Sequence, residues 1–199
     1  MVTLWGTPTS PYVRRTRILA LELGVPFELR NTNDPGVQDE LVAASPTWKI
    51  PTVRLDDGTV LWESAIIHHA LLPRTGGTLA NGEGSLSIPG EEARLRVAAI
   101  DAALDAGIAL FYMKRDAVDL SVPYLQKQRA RIDAAMAWVI TQVESARVGA
   151  ELSLDTIALV TTLDWFELRA AWPVQHPALL DAQARWATRD SFKQTRPPG

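Results

Sequence analysis

Cysteine is absent from the 199 residues. Disulfides, thiolate zinc sites and a cysteine nucleophile are therefore excluded. Histidine is scarce, with three in total. His68 and His69 are neighbours, so on a helix they point about 100° apart and do not form the i, i+4 pair that grips a metal. His176 precedes Pro177 and reads as a helix start, so no metal site is expected. Long apolar runs are missing too, and none approaches the roughly 20 residues needed to span a bilayer. Met1 to Trp5 has neither the charged n-region nor the long h-region of a signal peptide. The expected compartment is the cytoplasm, with no membrane partner. An excess of positive charge is also lacking. A net charge of −3 and a sequence pI of about 5.6 argue against nucleic acid as the main partner. The local basic groups, Arg14, Arg15 and Arg17 and then Lys127, Arg129 and Arg131, lie in helix-like stretches mixed with polar residues and read as solvated faces.

What is present has the composition of a globular protein, 47% hydrophobic and 22% charged. Val2 to Gly6 alternates and reads as a strand. Thr7 to Ser10 reads as a turn. From Pro11 the period becomes helical, with Ile18, Leu19, Leu21 and Leu23 on an apolar side and Gly24 as the stop. Pro26 to Asn31 alternates again, which completes a strand–helix–strand unit. A short helix is possible around Glu40 and Leu41. Thr52 to Leu55 and Thr59 to Trp62 flank Asp56-Asp57-Gly58, a strong hairpin signal. Glu63-Ser64 then opens a helix carrying Ile66, Ile67, Ala70 and Leu71. The first 72 residues thus read β-α-β-(α)-β-β-α. Pro73 to Gly90 is rich in turn formers and reads as a linker whose glycines are not a phosphate cradle. The remainder is helical: Ala93 to Phe111, Leu125 to Val143, a nearly all-apolar stretch from Leu154 to Leu168 with Ser153 as its N-cap, and Pro177 to Arg189.

The stretch Thr9-Ser10-Pro11-Tyr12-Val13-Arg14 poses a question. Ser is a favoured N-cap and Pro suits the first helical position, so Ser10 can be simply the start of a helix. It can equally be a catalytic hydroxyl. The segment looks like the SPF-V-R segment of bacterial glutathione S-transferases. Ser45-Pro46-Thr47-Trp48-Lys49-Ile50-Pro51 resembles the NP-x-G-K-V/I-P segment of that family, and Glu63-Ser64-Ala65-Ile66-Ile67 its E-S-x-x-I signature. Ser191 to Pro198 is similar to its S-F-x-x-T-x-P-P ending. Together, in this order, the four motifs span nearly the whole chain. Two departures stand out: Trp48 replaces a common Gly, and Thr156 replaces the Asp of an S-x-x-D capping motif, which predicts a weaker reciprocal bond.

The resemblance implies an N-terminal thioredoxin-like α/β domain over residues 1–74, a linker over 75–90 and an all-helical C-terminal domain over 91–199. It implies a cytoplasmic, bacterial-type transferase with a detoxification role, acting as a homodimer on glutathione as co-substrate and a small hydrophobic electrophile. It further implies a cis Ile50-Pro51 bond, with the backbone there pairing the cysteinyl part of glutathione. Glu63 would then take the γ-glutamyl ammonium, Ser64 and the helix N-terminus its carboxylate, and Lys49 the glycyl carboxylate. Thr9 and Ser10 stand where the family keeps its thiol-activating hydroxyl, and Ser10 is the expected donor. The electrophile is expected between the domains, near Tyr12, Phe111, Tyr112 and Arg115, although Phe111 also suits a packing role. The lack of cysteine speaks against the branches that form mixed disulfides. A non-catalytic glutathione-binding or protein-interaction role on the same fold is the alternative.

Overall fold

The computed structural model describes residues 1–198, which fall into two compact units, residues 1–88 together with 189–198 and residues 89–188. The first unit is built on a four-stranded mixed sheet of β1 (Val2–Gly6), β2 (Phe27–Asn31), β3 (Thr52–Arg54) and β4 (Val60–Trp62), in the order β2-β1-β3-β4. β1 and β2 are parallel, joined through α1 (Pro11–Glu22), and β3 and β4 are antiparallel neighbours. The hairpin between them closes where Asp57 and Gly58 were expected to turn: Gly58 has a φ of 85°, and Leu55 N–H bonds Thr59 O at 2.9 Å. α2 (Val37–Ala44) lays Val37 and Leu41 on Trp5 of β1, whose indole N–H donates to Glu40 at 3.1 Å. α3 (Ser64–Thr75) follows β4 directly and packs on α1.

Gly6 fixes the approach of α1 to β1. A Cβ at that position would lie 2.3 Å from Val13 Cγ2, so only glycine lets the first turn of α1 sit so close to the strand it follows. The linker is an ordered loop. Thr78 and Ser85 form a β-bridge, and Leu79 and Leu86 are buried.

The second unit contains α4 (Glu91–Arg115), α5 (Pro123–Glu144), α6 (Leu154–Arg169) and α7 (Pro177–Ala187). α6 is the buried centre of this unit, as its all-round apolar sequence predicts. Ser153 accepts the Thr156 N–H at 3.3 Å, and the Thr156 hydroxyl in turn accepts from Ser153 and from Gly149 N–H, each at 2.9 Å. Thr156 thus meets the cap through its hydroxyl, on the Ser153 side chain and the Gly149 N–H.

Two expectations change here. The C-terminal residues belong with the first unit, not with the helical one. A short helix, α8 (Asp190–Gln194), packs on α1. The reason lies in the arginines that composition placed on a solvated face. Arg14 and Arg15 are each only 2% exposed. Arg14 donates to Phe192 O at 3.2 Å and to the Thr195 hydroxyl at 3.3 Å, and Arg17 donates to Gln194 O at 3.4 Å. Arg189 grips Glu22 at 2.5 and 2.6 Å, and the Ser191 hydroxyl donates to the same carboxylate. Buried charges need such partners, and the tail of the chain supplies them. The second basic group, Lys127, Arg129 and Arg131, is exposed as expected.

Candidate functional site

The strand register assembles the site. Trp5 of β1 faces Thr52 of β3, and Thr52 faces Trp62 of β4. β1 ends one residue past Trp5, β3 starts one residue after Pro51, and β4 ends one residue before Glu63. One edge of the sheet therefore carries the Thr7–Ser10 turn, Ile50-Pro51 and Glu63-Ser64. α1 and α3 both start from that edge, so two helix N-termini, each with unsatisfied N–H groups, lie there.

Ser10 is the N-cap of α1, in extended conformation, and its Oγ accepts the Val13 N–H at 3.3 Å. That bond uses one lone pair. The hydroxyl proton remains to be donated elsewhere, so capping and donating to a ligand are compatible. Thr9 is half-buried beside it. The Ile50-Pro51 bond is cis. Pro51 is buried, Ile50 packs at the Trp5 cluster, and Lys49 O accepts the Thr52 hydroxyl at 2.8 Å.

Glu63 is the N-cap of α3, at φ 68° and ψ 120°, and its side chain makes no capping bond. Ser64, at the first helical position, is buried. The exposed Glu63 carboxylate lies 3.5 Å from the exposed Lys49 ammonium. An exposed pair of this kind is worth ~0–1 kcal/mol, so either partner is readily given up to a ligand. The edge thus offers a carboxylate, an ammonium, free helical N–H groups and a hydroxyl proton. Trp48, the departure from the family pattern, is exposed beside Lys49 at φ 55°.

Behind the edge, α1 and α3 are tied by Thr16 Oγ1 and His68 Nε2, 3.2 Å apart. Burial pushes the His68 imidazole down to about 3, with the charges of Arg15 and His69 adding to the effect, so it is neutral. Among the described residues, no group of three His, Asp or Glu side chains is placed to hold a metal.

The other expected residues are divided between the two units. Tyr12 lies in the first turn of α1, with the Arg15 guanidinium 4.8 Å above its ring. Phe111, Tyr112 and Arg115 lie on the last turns of α4 in the helical unit. Phe111 packs edge-on to Tyr112 and Trp165, while Arg115 covers Tyr112 and bonds Asp116 at 2.8 Å. Sequence reasoning missed the backbone strain at Glu63 and the tie between Thr16 and His68. Only the adjacency of a polar residue to an apolar helix face hinted at the latter.

A family model described as glutathione S-transferase, N-terminal domain, matches residues 9–72. A glutathione S-transferase from Methylobacterium radiotolerans, crystallised with glutathione sulfonate, superposes with a TM-score of 0.83 at 26% identity, over 100% of this chain and 95% of that one. Residues 9–72 thus match the N-terminal domain of the glutathione S-transferase superfamily, and the chain as a whole shares that superfamily's fold. A second member, from Methylobacillus flagellatus with glutathione bound, also gives 0.83, at 25% identity over 100% of both chains. A curated relative, the uncharacterized GST-like protein YibF of Escherichia coli, is 28% identical over 98% of each chain. The N-terminal domain model covers Thr9-Ser10, Ile50-Pro51 and Glu63-Ser64, which the strand register brings to one edge. The first unit, with its four-stranded mixed sheet, is the thioredoxin-like part of the superfamily fold. The second is its helical part.

Proposed function

We propose that this edge binds glutathione and that the protein is a glutathione transferase, joining the thiolate to a small hydrophobic electrophile. The register Trp5–Thr52–Trp62 carries the reading, because it gathers the hydroxyl, the cis-proline segment and the Glu63-Ser64 pair. In this reading Glu63 leaves Lys49 to take the γ-glutamyl ammonium, and the α3 N-terminus with Ser64 takes the adjoining carboxylate. Lys49 turns to the glycyl carboxylate. The backbone at Ile50, ahead of Pro51, pairs the cysteinyl residue. The sulfur then meets the Ser10 hydroxyl, with Thr9 next to it, at the N-terminus of α1. Both groups favour thiolate over thiol. Ser10 acts as donor and not as nucleophile, since a nucleophilic serine needs an adjacent base. The relatives crystallised with glutathione and glutathione sulfonate support the choice of ligand.

Calorimetry tests the binding. Wild type should bind glutathione, and Glu63→Ala should lose about 2 kcal/mol or more, because the ammonium is left without its carboxylate. Absence of binding by the wild type, or equal binding by the variant, overturns the assignment. We further propose a twofold homodimer. Sedimentation equilibrium at micromolar concentration should give twice the 21.8 kDa of one chain, and a monomer mass would refute it.

A further inference from the structure

The helical unit holds a cleft of about 170 Å³ where the C-terminal ends of α4 and α6 meet the start of α5. Its apolar wall includes Leu110, Phe111 and Leu125, and its polar lining includes Lys114, Arg129 and Arg169. No carboxylate lines it among the described residues. The Arg169 guanidinium lies 5.1 Å from the Phe111 ring centroid, and its Nε is shut off from solvent with no acceptor within reach. Lys114 and Arg129 form no ion pair among the described residues. The acids two residues from Lys114 and Arg169 in sequence are engaged by other side chains: Asp116 accepts from Arg115 at 2.8 Å, and Glu167 from Gln183 at 2.7 Å.

We propose that this cleft binds a small aromatic carboxylate, its ring against Leu110, Phe111 and Leu125 and its carboxylate among Arg169, Lys114 and Arg129. Three cations without a counter-charge around one cleft favour an anion. A guanidinium fork matches the two oxygens of a carboxylate. The Arg169 Nε–H, buried without an acceptor, gains one from the ligand. The size fits the body: cavities of about 150 Å³ lined by Leu and Phe admit benzene, so this space holds one ring. Charge attraction draws the ligand in, and the apolar wall distinguishes it from a bare anion. The site uses no residue of the glutathione edge and is tested without glutathione, so its failure and the failure of the transferase reading are separate.

The probe is 4-fluorobenzoate, followed by fluorine NMR at low salt, with 4-fluorobenzamide as the uncharged isostere and inorganic phosphate as the bare anion. The benzoate should saturate one site per chain. The amide should bind at least tenfold more weakly, and phosphate at equal concentration should not displace the benzoate. Arg169→Gln, and separately the double variant Lys114→Gln with Arg129→Gln, should each weaken binding at least tenfold. The double variant alters only exposed side chains, so it carries the test if Arg169→Gln fails to fold. Equal binding of benzoate and amide, displacement by equal phosphate, or wild-type affinity in the folded variants would overturn the proposal.

Discussion

Glu63 holds a backbone conformation that its residue type does not favour. Among the described residues, five other than glycine have positive φ: Trp48, Glu63, Ala117, Ala146 and Ala170. The three alanines follow helix C-termini, where the left-handed conformation ends a helix. Glu63 instead opens a helix, and nothing in helix termination requires its φ of 68°. Such a conformation costs of order 1–3 kcal/mol for a residue with a Cβ, and it persists where the surroundings impose it. Glycine accepts it freely, at the cost of a more flexible unfolded chain. Glu63→Gly should therefore melt no lower than wild type while losing glutathione affinity as Glu63→Ala does. Calorimetric melting and binding on the same sample test this, and a lower midpoint would contradict the assignment of strain. Residue type foretold Ser10 as a cap and Gly58 as a turn, because each answers a local backbone demand. It did not foretell the Glu63 dihedral, which Glu does not favour, nor the burial of Arg14. The hydroxyl that Arg14 bonds lies 181 positions away in sequence.

At the scale of elements, α1 and α3 start from the candidate edge and are joined by Thr16 and His68. His68 has a sign that can be tested. Its imidazole titrates near 3 in the folded protein, against about 6.5 when unfolded. Below 6.5 the unfolded chain takes up a proton that the folded chain refuses. The stability is thus fully present above pH 6.5 and falls as acid is added down to about 3, by up to ~1.4 kcal/mol per pH unit. The Glu22 carboxyl would be raised by burial alone, but the bonds from Arg189 and Ser191 hold it below its usual range, so its contribution is lost only at more acid pH. Between pH 6.5 and 5 the slope belongs to His68. Urea midpoints at pH 7 and pH 5 should differ in wild type and much less in His68→Gln. An equal drop in both would show that the tie between α1 and α3 does not carry the acid sensitivity. Most elements were legible, because the period changes sharply from two to 3.6 at Pro11 and back at Pro26. α8 was not. Five residues cannot display a period, and the stop of α7 at Ala187 has no glycine to mark it.

For the whole molecule, the alternating first part and the helical remainder were visible in sequence as a change of pattern across a turn-rich linker. The return of residues 189–198 to the first unit was not, because it depends on the buried Arg14 and the half-buried Arg17 meeting backbone carbonyls, which carry no sequence signature. The candidate site was legible in its residues but not in its assembly, which needed the pairing of Trp5, Thr52 and Trp62. The thiol of bound glutathione reports on that assembly as a unit. Free, it resembles cysteine and ionises near 8.5. Ser10→Ala would remove a helix cap as well as a donor, at about 0.5–2 kcal/mol of stability, whereas glycine at a cap costs only a few tenths, so Ser10→Gly isolates the donor. The decisive measurement is a thiolate absorbance titration of the glutathione complexes of wild type, Ser10→Gly and Thr9→Ala. The wild-type complex should ionise about two units below free glutathione. Ser10→Gly should raise that value by about one to two units, or about 1.4 to 2.7 kcal/mol, with little change in affinity, and Thr9→Ala should leave it in place. A wild-type complex that titrates like free glutathione, or a shift produced only by Thr9→Ala, would contradict the account.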